Sequence, residues 1–160
     1  MIRLSKLTDY GLVLLTVIAR DRNGSLRTAR DLAAESRLPI PTASKLLKTL
    51  LNSGLLISHR GIKGGYSLAR RPADISVAEV ISALEGEIAL TECSTDISGL
   101  CDLEHSCPTK ANQRVISQAI RETLERVTLS DLARPLQLTA IKDGHGNYVS
   151  TITRSSEKVQ

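Results

Sequence analysis

The chain has 160 residues with no Trp and no Phe, and aromatics make up 2% of it. Its core must therefore be aliphatic, drawn from Leu, Ile, Val and Ala, which favours helices packed on helices. A small monomer of this composition would be only modestly stable, so the sequence predicts a homodimer that completes its core across an interface. Long apolar runs are missing too. None approaches the roughly 18–20 residues that span a bilayer, and the opening MIRLSKLTDYG lacks the unbroken apolar stretch of a secretory signal. The expectation is a cytoplasmic protein with no membrane partner. No Walker-type Gly-Lys-Ser/Thr is present, no Cys-His-acid set is recognisable as catalytic, and the acidic residues show no motif spacing, so nothing points to an enzyme.

Cysteine is scarce but concentrated. The three in the chain, Cys93, Cys101 and Cys107, fall within fifteen residues of one another, in a stretch rich in Ser, Asp and Gly. An odd count argues against a closed disulfide framework, and such clustering is unlike three independent core positions. In a reducing compartment the remaining readings are a metal or iron–sulfur site, or a thiol switch.

Charge is unevenly distributed. Residues 1–71 carry 13 Lys/Arg against 4 Asp/Glu, whereas residues 72–127 carry 4 against 10. A basic lobe followed by an acidic one predicts a polyanionic partner for the first only. The sequence divides accordingly into a DNA-binding lobe (1–71), a sensor loop with a dimerisation helix (72–134), and a disordered tail (135–160), in which Gly, Ser, Thr and charges accumulate.

The basic lobe has the order of a winged helix-turn-helix. Apolar residues from Asp9 to Ala19 predict a first helix, with Thr8 as N-cap. Thr28 caps a short second helix, and Asp31 takes the acidic position of a capping box. Pro39 and Pro41 interrupt the helical pattern, and Pro41 suits the first turn of a third helix that ends before Gly54. On that helix Ala43, Leu46, Leu47 and Leu50 form an apolar stripe. Thr42, Ser44, Lys45, Lys48 and Thr49 are left outward, where such residues can enter a major groove. Two β-prone runs then flank the cationic tip Gly61-Ile62-Lys63-Gly64-Gly65, which predicts a hairpin. Arg60 and Lys63 suit phosphates or a minor groove. Thr28, His59 and Tyr66 complete the set of candidate DNA contacts. The partner implied is a double-stranded, pseudo-palindromic operator.

Beyond the wing, Ser76-Val77-Ala78-Glu79 is a capping box opening a helix that stops near Gly86. After Pro108 a longer helix sets Val115, Ile116, Ala119, Ile120, Thr123, Leu124 and Val127 along a coiled-coil-like seam, the expected dimerisation surface. The fold class is thus mainly α: a winged helix-turn-helix with a small β-hairpin wing, a cluster-binding loop and a long dimerisation helix.

The segments LSKLTDYG, LPIPTASKLLKTL, RGIKGGYSLAR, ISVAEVISALEG and TEC…C…C resemble the Rrf2 family of bacterial winged-helix regulators, over residues 1 to about 134. The opening, the SHRG wing and the ALEG…TEC run look most similar to regulators of the Suf iron–sulfur assembly operon. The resemblance implies a dimeric repressor of iron–sulfur assembly genes whose Cys93, Cys101 and Cys107 hold an iron–sulfur cluster, 2Fe–2S ahead of 4Fe–4S. It also places Thr42, Ser44 and Lys45 where the family reads bases. Three thiolates leave one iron position open. The Isc-type branch fills it with a His three residues after the last Cys, where this chain has Lys110, and a protonated Lys cannot ligate. The resemblance to the nitric-oxide-sensing branch implies Asp9, supplied from the partner subunit. His105, within the loop, is the weaker candidate, and Glu104, Asp102, a thiol or water stay open behind it. Two other signals stay open for this scaffold: nitric oxide, and a zinc or thiol-redox switch on the same three cysteines.

Overall fold

The computed structural model describes residues 3–21, 24–95, 97, 99–103, 106–134, 138–142 and 148–152. Three helices come first: α1 (Lys6–Arg20), α2 (Ala29–Ser36) and α3 (Ile40–Asn52). A two-stranded antiparallel hairpin follows, β1 (Leu56–His59) with β2 (Gly65–Leu68), in the register Leu56 to Leu68 and His59 to Gly65. Then come α4 (Val77–Glu85), α5 (Lys110–Glu125) and the short α6 (Leu129–Ala133). The order of helices and hairpin is that of a winged helix, as the sequence predicts.

Local chemistry accounts for the helix ends. The Ser5 hydroxyl, not that of Thr8, caps α1 by accepting the Thr8 backbone N–H at 3.2 Å. Thr8 is fully buried one turn in. Starting at Lys6 gives the first-turn N–H groups an acceptor that a later start would waste. Both predicted capping boxes form, Thr28 with Asp31 on α2 and Ser76 with Glu79 on α4. Between α2 and α3 the chain turns at Arg37, whose φ of 55° is left-handed. Pro39 and Pro41 bracket the start of α3, and Gly54, with φ of 75°, takes the turn beyond it.

The core is aliphatic throughout. Leu14 and Leu15 of α1, Leu32 of α2, Leu47 and Leu50 of α3, Ile75, Val80 of α4 and Leu129 of α6 all lie in one buried cluster. At Gly11, α1 comes close to α4: a Cβ there would sit 2.4 Å from Leu84 Cδ1. On α5, Ile120 and Leu124 are part-buried and Ser117 is buried, whereas Val115, Ile116, Ala119 and Thr123 are exposed. The helix stops at Glu125, so Val127 does not extend the seam; its carbonyl instead accepts the Val77 N–H at 2.8 Å.

The C-terminal stretch also differs from expectation. Within the stretch predicted to be a disordered tail, β3 (Leu138–Lys142) pairs antiparallel with β4 (Tyr148–Ile152). Both segments hold β-branched residues, and Gly144 and Gly146 lie between them, so β-propensity outweighs the polar composition. Residues 143–147, including His145, and 153–160 lie outside the described residues. Among the described residues, no helix is long and apolar enough to cross a membrane.

Candidate nucleic-acid interface and cysteine segment

The outer face of α3 follows from its stripe. Ala43, Leu46, Leu47 and Leu50 are buried, which turns Ser44, Lys45 and Lys48 to solvent. Thr42 is half-buried at the edge of that face. Thr49, also half-buried, donates its hydroxyl to the Lys45 carbonyl at 3.2 Å. Three outward side chains, two of them cationic, are thus available to base edges and phosphates.

Thr28 is less free. Its hydroxyl donates to Asp31 Oδ2 at 2.6 Å and accepts the Asp31 N–H. The Thr28 hydroxyl and backbone N–H hold the Asp31 carboxyl below its usual range. Thr28 is first a helix cap, and only its exposed outer edge faces solvent.

The wing is built against the helices. Leu55 N–H donates to the Leu50 carbonyl at 3.0 Å, joining the hairpin base to the end of α3. On the other side Arg27 and Tyr66 exchange two backbone hydrogen bonds, of 2.8 and 3.3 Å, so Arg27 serves as a one-residue third strand. Gly65 is required there, because a Cβ would lie 2.7–2.9 Å from Arg27 backbone atoms. The Arg27 guanidinium pairs with Glu35 and lies 4.0 Å from Asp21. Nothing in the sequence marks Arg27 for this role, since an isolated residue between a turn and a helix cap carries no periodic signal. Tyr66 packs part-buried against the core. His59 Nε2 and Ser67 Oγ are hydrogen-bonded at 3.1 Å, and Arg60 and Lys63 are exposed.

The cysteine segment begins against α5. Leu90 N–H donates to the buried Ser117 Oγ at 3.1 Å, which pins the chain three residues before Cys93. Ser117 is equally silent in the sequence, where a lone Ser among polar residues on α5 has no distinguishing mark. Cys93 is buried in a single 3₁₀ turn, Glu92–Ser94, with its sulfur 3.4 Å from the Thr91 hydroxyl. Cys101 and Cys107 are half-buried, and all three thiols are free. Cys107 Sγ lies 3.4 Å from the Thr109 hydroxyl. That hydroxyl, the Thr109 and Lys110 backbone and the Lys110 charge together hold the Cys107 thiol below its ordinary range. Lys110 cannot be a ligand, yet its charge favours the thiolate that a ligand must be.

Asp9 is exposed in the first turn of α1, beside Arg3, Leu4, Ser5 and Lys6. Among the described residues, no three His, Cys, Asp or Glu side chains converge on one point. The three thiols share a segment without converging on one point. Glu104 and His105 lie outside the described residues. At the start of α1, the backbone N–H of Ser5 donates to Glu85 Oε1 at 2.6 Å. The Thr8 hydroxyl and the Ser5 backbone lower the Glu85 carboxyl. The end of α4, just before the cysteine segment, is thereby tied to the helix that carries Asp9.

Comparison with known proteins agrees with this architecture. The Rrf2 family model, described as an iron-dependent transcriptional regulator, matches residues 4–135. A putative HTH-type transcriptional regulator of Mycobacterium tuberculosis, Rv1287, is 35% identical over 134 residues, covering 82% of this chain and 81% of the relative. The solved structure of CymR, described as the global cysteine regulator of B. subtilis, superposes with a TM-score of 0.67 at 30% identity, over 83% of this chain and 97% of that one. The T. potens IscR structure gives 0.63 at 28% identity, over 82% and 85%. These relatives are DNA-binding regulators and not enzymes, and this chain belongs to the Rrf2 family of transcriptional regulators.

Proposed function

We propose that this regulator is a homodimeric repressor of iron–sulfur assembly genes, which binds a pseudo-palindromic operator and responds to an iron–sulfur cluster held by Cys93, Cys101 and Cys107. The observation that carries the reading is the state of the three thiols. They are free, they share one segment pinned to α5, and Cys107 is held toward its thiolate. Thiolates are the usual holders of such clusters. The donor set therefore fits the group, with Asp9 of the partner subunit as the fourth ligand and His105 as the weaker choice. When bound, the cluster supplies a redox-active, oxidant-labile centre, 2Fe–2S in preference to 4Fe–4S.

The chain's own residues carry the response. Ser117 holds the start of the cysteine segment on α5, and Glu85 holds the N-terminus of α1. Loading the thiols would favour one placement of α1 and, through the shared core, of α3. Binding shifts operator affinity only by its difference between the two arrangements, about 5- to 150-fold for a coupling of roughly 1–3 kcal/mol. Anaerobic purification with iron and sulfide analysis tests this. A coloured protein containing both elements is expected, with colour and operator response lost on Cys101→Ala. A Cys101→Ala variant with wild-type absorbance and unchanged regulation would refute it.

A second reading keeps the DNA-binding lobe and changes the signal to thiol oxidation. Half-exposed Cys107, favoured as thiolate, is the observation behind it. Colourless protein after reconstitution, with DNA affinity that follows added oxidant and reductant, would select this reading.

A further inference from the structure

We propose that Ile62, at the tip of the wing, is an apolar wedge that enters the operator's minor groove beside a flexible base step and bends the DNA on each flank. The inference rests on the reading that this lobe binds operator DNA.

Ile62 is fully exposed, at 107% of its reference surface, whereas the other exposed large hydrophobics among the described residues range from 37% to 69%. Its side chain therefore does nothing for the stability of the folded chain. The turn does not call for it either. Gly64 N–H donates to the Gly61 carbonyl at 2.9 Å, which makes 61–64 a closed four-residue turn with Ile62 and Lys63 at its outer corners. Turns favour Pro, Asn, Asp or Gly at such corners, not a β-branched hydrophobe.

The turn holds this side chain outward. Gly61 has a φ of 120°, and a Cβ on Gly64 would lie 2.3 Å from the His59 carbonyl oxygen, so the tip has closed as tightly as backbone allows. At its base the hairpin is tied to α3 through Leu55 and to the strand-like residue leading into α2 through Arg27. A β-branched side chain also has few rotamers to lose on insertion.

The surroundings select the partner. Arg60 and Lys63 flank Ile62, and no Asp or Glu occurs between residues 56 and 73. An apolar side chain between cations suits the minor groove, where Ile, Leu or Pro wedges part base steps while Arg and Lys meet the phosphates. Pyrimidine–purine steps yield most easily to such a wedge. An apolar–cationic tip would also suit an anionic lipid surface, but the polar, cationic outer face of α3 on the same lobe favours DNA.

The test uses the full-length protein, purified anaerobically and examined as isolated and after treatment with a chelator. Wild type and Ile62→Ser each select duplexes from a random 30-base-pair pool, and end-labelled duplexes report bending by energy transfer. Wild type is expected to enrich a half-site repeat plus TA or CA steps at a fixed distance on either side. Ile62→Ser should keep the half-sites, lose the flanking preference, bend DNA less and bind the wild-type duplex about tenfold more weakly. Ile62→Leu should restore the bend. The salt dependence should be the same for Ile62→Ser and wild type, whereas Arg60→Ala should reduce its slope by about 0.9 for each phosphate left unneutralised. Identical selection and bending by Ile62→Ser, with wild type selecting normally, would overturn the wedge alone. So would binding to anionic vesicles that depends on Ile62 while DNA affinity does not. Failure of wild type to select any sequence would overturn the wedge together with the operator reading beneath it.

Discussion

At the scale of single residues, the chain places small or polar side chains where neighbouring backbone leaves no alternative. Gly65 is the sharpest case. A methyl group there would meet the nitrogen, carbonyl carbon and oxygen of Arg27 at 2.7–2.9 Å, and backbone held in two hydrogen bonds cannot move aside as a side chain can. Gly65→Ala should therefore cost on the order of 1–3 kcal/mol, as overpacking does. The cost should show as a lower urea midpoint, with the wing rather than the core loosened in hydrogen exchange. An unchanged midpoint would mean that the Arg27–Tyr66 bridge contributes nothing. Gly11 differs, because the atom it faces is the terminal methyl of a part-buried Leu84, which has room to rotate.

At the scale of elements, the sequence was most legible where hydrophobic period and cap agreed. Helices α2 and α4 each open on a box whose two hydrogen bonds form as expected, and the α3 stripe buries the four residues predicted. The same pattern at Thr128 and Asp131 opens α6, yet five residues carry too little periodicity to announce a helix. The cysteine segment was legible in composition but not in arrangement, because its course is set by single contacts such as Leu90 to Ser117. Helix α5 is covered on one side. Its inner side meets α4, but Val115 is 69% exposed and Ile116 46% exposed. Burying both against a second copy would remove apolar surface worth roughly 25 cal/mol per Å² from water. Val115→Glu combined with Ile116→Glu should leave the monomer's fold intact, since both side chains are exposed in the single chain, and convert a dimer to monomer in sedimentation equilibrium. A doubly substituted protein that still sediments as a dimer would place the interface elsewhere.

At the scale of the whole molecule, the basic and acidic halves of the sequence share one core. Residue-by-residue reading could not show this, because the contacts that create it join distant parts of the chain. Leu129 is fully buried in the same cluster as Leu14 and Leu15, and its N–H donates to the Ile75 carbonyl at 3.0 Å. The segment after the cysteines therefore returns to seal the helix-turn-helix, and α6 packs on α1. A signal arriving at the cysteine segment need not cross a hinge to reach α3. The consequence is testable by one deletion of side-chain volume. Leu129→Ala removes buried methyls from a packed site and should cost about 2–5 kcal/mol. Because the core is shared, fluorescence from an added wing label and circular dichroism should report the same lowered midpoint in a single transition. Were the two halves independent, the dichroism signal would split, and the wing would unfold at its wild-type midpoint while the cysteine-bearing half melted earlier.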